Sequence, residues 1–188
     1  MRNNFLIVST GRTATKWLAN IMNRGDITVL HEPRGWTDDT FDKAKYAFYQ
    51  HQSYGEVNGA LRYSLLDFNE IKKGIIVREP KSLVVSFSNR RSTKDLIKKI
   101  IDINTDYEIF DKYFSMGIPV FHYERMVSDI DYLQNLLNTY GVHYTCTNDD
   151  LQTKINTNKQ VRYKHFDELP EACKIVFNAM NWNFNFLK

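Results

Sequence analysis

Apolar residues recur along this chain in two rhythms. Short apolar-rich runs at Phe5–Val8, Ile27–Leu30, Gly74–Val77 and Pro119–Tyr123 have the branched and aromatic make-up of buried strands. Glu56–Tyr63 carries a weaker version of that signal. Elsewhere the spacing changes to three and four. Trp17, Leu18, Ile21 and Met22 mark a helix from about Thr15 that Gly25 ends. Leu83, Val84 and Phe87 mark one that opens at Pro80, and Ile130, Leu133, Leu136 and Leu137 one that stops at Gly141. Asp95–Met116 reads as a long amphipathic helix, Leu65–Ile71 as a short one, and Leu169–Asn181 as the last. The polar and aromatic segment Arg34–Gln52, with Trp36, Tyr46 and Tyr49, is expected as a helical cover over a binding site. Strands alternating with helices predict an α/β fold on a central, mostly parallel sheet.

The first strand breaks into its helix through Ser9, Thr10 and Gly11. A loop of that kind turns backbone N–H groups toward one point, with the positive end of the helix dipole behind them, and so makes a seat for phosphate or sulfate. Arg12 and Lys16 add cations, and Thr10, Thr13 and Thr15 add hydroxyls. The loop is not the common magnesium-nucleotide pattern, GxxxxGK followed by Ser or Thr. Its second glycine is missing, and Trp17, which cannot ligate magnesium, follows Lys16. Trp17 lies close enough to the seat to stack on a base, while its helical spacing suits core packing equally well.

Other strand ends carry chemistry too. Ile27–Leu30 runs into His31 and Glu32, two titratable groups where an open α/β sheet binds its ligands. Gly74–Val77 runs into Arg78. In the helix after it, Ser82, Ser86 and Asn89 or Arg90 share one face, so that Arg78 and Ser86 can converge on one anion. Tyr123, Glu124 and Arg125 end the next strand. Thr145–Lys164 turns polar and basic, with Lys154, Lys159, Arg162 and Lys164, and reads either as a solvated loop or as a cover for a nucleotide.

The 188 residues suit a single domain. With 43% apolar residues and a net charge of +3, the chain is globular, accepts an anionic ligand and lacks the basic stripe of a nucleic-acid binder. Only Cys146 and Cys173 occur, at no metal-binding spacing, so no metal site is expected and both read as free thiols. Neither a signal segment nor a membrane-length apolar run stands out, and a soluble, cytoplasmic protein without membrane partners is expected.

Three separated segments resemble the sulfotransferases that use 3′-phosphoadenosine 5′-phosphosulfate (PAPS). Ser9–Leu18, STGRTATKWL, is similar to that family's 5′-phosphosulfate loop, with Ala14 in place of the usual glycine and Lys16 in place of a hydroxyl residue. Arg78–Asn89, REPKSLVVSFSN, resembles its 3′-phosphate motif, and His122–Asp129, HYERMVSD, its later Tyr-Glu segment. The resemblance implies a three-layer, P-loop NTPase-like sandwich and transfer of a sulfuryl group from PAPS to a hydroxyl or amine without a metal. Thr10, Gly11, Arg12, Thr13, Ala14, Thr15, Lys16, Trp17, Arg78, Ser86 and Tyr123 would then hold the nucleotide, and Arg12 would also meet the bridging oxygen. The histidine base of the cytosolic members has no counterpart, since Asn58–Arg62 reads NGALR. Other branches place a Glu base after the second strand, where Glu32 stands, and His31 is the second choice. The acceptor class stays open among small molecules, sugars and peptides. Two rivals stand beside this reading: a P-loop kinase for a nucleotide or small molecule, which would share the strand-loop-helix start, and a nucleotide- or nucleic-acid-binding module without chemistry, which would account for the cations and aromatics.

Overall fold

The computed structural model describes residues 3–33, 39–89, 91–153 and 162–188. These residues form two compact units, a sheet unit within 1–77 and 119–155 and a helical unit within 78–118 and 156–188. Arg34, Trp36, Arg90, Lys154 and Lys159, all singled out above, lie outside the described residues.

The sheet unit holds five parallel strands: β1 (Asn3–Ser9), β2 (Thr28–His31), β3 (Ser53–Val57), β4 (Lys72–Val77) and β5 (Val120–His122). Their order is β2-β3-β1-β4-β5, with Ile7 opposite Val57 on one side and Ser9 opposite Ile76 on the other. From β1 the chain crosses to the edge at β2, returns through β3 and then passes to the other side of β1, so the carboxyl end of β1 lies at the topological switch point where such sheets bind ligands. Phe5, Leu6, Ile7 and Val8 are fully buried, as a parallel strand covered on both faces requires. Two glycines allow the close approaches: a Cβ on Gly55 would lie 2.1 Å from the Phe5 ring, and one on Gly74 would lie 1.7 Å from Tyr140 Oη.

Helix α1 (Thr15–Met22) buries Leu18, Ile21 and Met22 against this sheet. It stops three residues before Gly25, where Asn23 takes over and accepts the Val29 N–H through its side chain at 3.0 Å. Helix α2 (Thr40–Gln50) lies within the helix expected for Arg34–Gln52. The β3 strand begins earlier than its apolar signal, at Ser53, and gives way at Asn58 to a 3₁₀ turn, Gly59–Leu61, capped by the Asn58 side chain. Likewise the helix expected over Leu65–Ile71 is a single 3₁₀ turn, Leu65–Asp67.

In the helical unit, α3 (Pro80–Ser88) starts with Pro80 in its first turn, and the Glu79 carboxylate accepts the N–H groups of Lys81 and Ser82. Helix α4 (Thr93–Ser115) is capped by Ser92. Back in the sheet unit come α5 (Tyr123–Met126), α6 (Ile130–Thr139) and α7 (Asn148–Gln152). Helix α6 ends in a left-handed Gly141, φ +66°, with the Val142 N–H turned back to Leu137 O. Helix α7 forms inside the stretch read as a basic loop, because Thr147 and Asp150 make a reciprocal cap. The last helix, α8 (Glu171–Ala179), packs on α4 in the helical unit.

Candidate functional site

The loop after β1 is built from backbone conformations that L-residues avoid. Gly11 has φ +81°, and both Arg12 and Ala14 have φ +55°. Successive N–H groups in such a run form a concave nest that favours an anion. Ala14, in the left-handed region, is the N-cap of α1, and no described side chain caps that helix. Its first-turn N–H groups are therefore left to seek an outside acceptor, and the turn carries no acidic residue that would repel an anion. The Ser9 hydroxyl steadies the turn by accepting the Gly11 N–H at 3.1 Å. Thr10 and Thr15 are buried, while Thr13 is fully buried and its hydroxyl has no hydrogen-bond partner among the described residues. An unmet buried hydroxyl is costly, and an anion seated in the loop is the kind of partner that would satisfy it.

Lys16 is exposed beside this nest. Trp17 resolves toward the core: it is 5% exposed and its indole N–H donates to Asp150 O at 2.9 Å. Tyr123, half-buried, packs against the same core.

At the end of β2, His31 Nε2 lies 2.9 Å from Thr15 Oγ1, which ties the strand end to the first turn of α1. Burial holds the imidazole below its ordinary pKa, Glu32 opposes that shift, and Lys16 adds to it. Glu32 itself has φ +42°, a third non-glycine residue in the left-handed region at this end of the sheet. Its Oε1 accepts the Gly59 N–H at 3.3 Å. Loop, histidine and glutamate all lie at the carboxyl ends of parallel strands.

In the helical unit, Arg78 is held by its main chain. Its N–H donates to Tyr107 Oη at 3.2 Å, and the Tyr107 hydroxyl donates back to Arg78 O. Tyr107 is fully buried, edge-on to Trp182, Phe184 and Phe186. Arg78, Lys81, Ser82, Ser86 and Asn89 then line one cleft of about 600 Å³ together with residues 163–167. The convergence of Arg78 and Ser86 expected from their spacing is thus present in one cavity, of a size common for small-molecule sites. The opposite wall is fixed by Asn89, whose Oδ1 accepts the N–H groups of Arg162 at 2.6 Å and Tyr163 at 3.0 Å. Of the basic stretch, Lys164 reaches this wall.

Four participants escape the sequence reading. Asn89 was recognised only as a face-sharing residue, and its clasp on residues 162–163 is a contact across 73 positions. Tyr107 looked like one more apolar position in a long helix. Glu56 and Asn58 read as the start of a weak strand, although Tyr54, Glu56 and Asn58 recur every second residue, the spacing that sets side chains on one face.

No protein-family model matches this chain, and no curated protein matches it in sequence. Its fold does match solved structures. The crystal structure of mouse sulfotransferase SULT7A1, complexed with adenosine 3′,5′-bisphosphate (PAP), aligns at a TM-score of 0.53 and 14% identity over 77% of this chain. The chain spans 61% of the length of that enzyme. The sulfotransferase domain of the Synechococcus PCC 7002 olefin synthase aligns at the same TM-score and identity, over 96% of this chain and 88% of its own. The chain therefore has the α/β fold of sulfotransferases, with a five-stranded parallel sheet flanked by helices. Among the described residues no helix is long and apolar enough to cross a membrane.

Proposed function

We propose that this protein is a PAPS-dependent sulfotransferase that passes a sulfuryl group to a hydroxyl or amine on a small molecule, sugar or peptide. The observation that carries the reading is Ala14 at φ +55°. Where the resemblance sets a glycine, the backbone adopts a glycine conformation, and it does so beside a buried hydroxyl in want of a partner on a fold shared with sulfotransferases.

Bound PAPS supplies an activated sulfuryl group and a stable bisphosphate leaving group. The N–H groups from Thr13 to Lys16, with the Thr10, Thr13 and Thr15 hydroxyls, hold the 5′ end. Arg12 neutralises charge at the bridging oxygen, an electrostatic role that needs no covalent step. Arg78 and Ser86 take the 3′-phosphate, and Tyr123 is the aromatic candidate for the adenine, with Trp17 behind it in the core. Glu32 accepts the acceptor's proton. His31 is the weaker candidate because its Nε2 is already engaged by Thr15 and burial favours its neutral form.

Cys146 and Cys173 fit the cytoplasmic assignment as buried free thiols. Burial, with Asp150 nearby, pushes the Cys146 thiol up to about 11, so it serves packing rather than nucleophilic chemistry.

The deciding experiment is calorimetric titration with PAP beside ATP, each with and without magnesium. Tight, metal-independent binding of PAP alone is expected. Magnesium-dependent binding of ATP would instead favour a P-loop kinase. Glu32→Gln is expected to abolish turnover of PAPS while leaving PAP affinity within about twofold of wild type, because the carboxylate moves a proton and does not hold the nucleotide.

A further inference from the structure

A hydrogen-bonded chain runs through the interior of the sheet unit to the Glu32 carboxylate. The Tyr54 hydroxyl donates to Glu56 Oε1 at 2.7 Å, and Asn58 Nδ2 donates to Glu56 Oε2 at 3.0 Å. Asn58 Oδ1 accepts the Ala60 N–H at 3.0 Å, and the Asn58 N–H donates to Ile7 O on β1 at 2.8 Å. Those contacts fix the turn whose next N–H, that of Gly59, donates to Glu32 Oε1. Arg62 holds the same residue from its other side, donating from Nη1 to Gly59 O at 2.9 Å. Glu56 and Asn58 are fully buried.

A carboxylate and an amide in a parallel-sheet core are poor choices for stability alone, since well-packed apolar side chains of similar volume serve as well or better. What they provide is direction. Glu32 holds a backbone conformation that is strained for a non-glycine residue and persists only where its surroundings over-determine it. The Gly59 N–H supplies one such constraint on the side chain.

We propose that Asn58, anchored by Glu56, is the positioning residue for Glu32, so that NGALR replaces a base at this strand end with a buttress for one on the neighbouring strand. The inference rests on the reading of Glu32 as the base, but its structural half can be tested without turnover. Asn58 is fully buried, which suits it to orient a group rather than to bind a ligand. It sets where the Gly59 N–H points, and that N–H sets where the Glu32 carboxylate sits. Partners that orient a metal ligand typically contribute about 10–100-fold to its affinity or activity, and a partner that orients a base acts in the same way.

The test follows the Gly59 amide by ¹H–¹⁵N NMR in wild type, Glu32→Ala, Asn58→Ala and Asn58→Ser. Asn58→Ala is expected to move the Gly59 amide proton upfield, as Glu32→Ala does. Asn58→Ser keeps an oxygen for the Ala60 N–H and is expected to restore most of the wild-type shift, which separates a lost orientation from a damaged core. With PAPS alone and water as acceptor, giving PAP and sulfate, Asn58→Ala is expected to lower kcat about tenfold with PAP affinity within twofold of wild type. A Gly59 amide that keeps its wild-type shift in folded Asn58→Ala overturns the proposal, as does, should Asn58→Ala not fold, an Asn58→Ser variant that moves the amide as far as Glu32→Ala moves it. So does a Glu32→Ala variant that leaves that amide unmoved. Failure of wild type to bind PAP would instead remove the sulfotransferase reading, while the amide shifts still decide whether Asn58 directs the Glu32 side chain.

Discussion

The two regions proposed to take anions are built by opposite means. The loop after β1 is a backbone device: three residues at positive φ, an uncapped helix start and buried hydroxyls present fixed dipoles toward a point. The cleft at Arg78 and Ser86 is a side-chain device, a cavity of about 600 Å³ with long cations on its walls and a clasp, Asn89, across its far side. Fixed dipoles reorganise little as charge develops, which suits the place where a bond breaks. Mobile side chains form strong charge-assisted hydrogen bonds to a group that stays intact, which suits binding. On the proposed function, the first region governs rate and the second governs affinity.

The sharpest way to break the comparison is to remove one cation from each region. Arg12→Ala is expected to lower single-turnover transfer from PAPS by about 10²–10³-fold, with a much smaller change in PAP affinity by calorimetry. Arg78→Ala is expected to weaken PAP binding by roughly 10–100-fold, the size of a lost hydrogen bond to a charged group, while the single-turnover rate at saturating PAPS stays near wild type. Equal effects of the two variants on rate and affinity would erase the distinction.

A backbone device also carries strain that a side-chain device does not. Ala14→Gly is expected to stabilise the protein by about 1 kcal/mol, since glycine enters the left-handed region without steric conflict. For a chain of this length that is a rise of about 2–4 °C in Tm by thermal denaturation, whereas Ser86→Ala, on an ordinary helix, should leave Tm nearly unchanged.

The smallest expected effect is one of pH. Burial holds His31 and His122 below their ordinary value of 6.5, so the unfolded chain binds more protons than the folded one between the lowered values and about 6.5. Stability should therefore fall as pH drops through that window and recover above it. Urea midpoints measured from about pH 5 to pH 7.5 check the sign, and His31→Gln should remove part of the slope.

The architecture was legible wherever a segment carries its own pattern. Phe5–Val8 reads as a buried strand because both faces are covered, and Pro80 marks a helix start because its ring fixes φ there. Strand β3 was misplaced because its span, Ser53–Val57, mixes Gly55 and Glu56 among apolar residues and depends on Phe5 and Tyr54 for its fit. At the candidate site, residues joined by local spacing could be grouped in advance, as with Arg78 and Ser86. Asn58 and Tyr107 could not, because each acts through main-chain groups 2 to 51 positions away whose direction no spacing encodes. Trp17 lay between these cases. Its helical position allowed either a ligand or the core, and Asp150, 133 residues later, drew it to the core.

Tyr107 grips the main chain of Arg78 from inside α4, and neither its ring nor its hydroxyl is visible at the surface. Selection acting on that one buried phenol could retune how firmly the cleft takes its guest without altering any group that meets it.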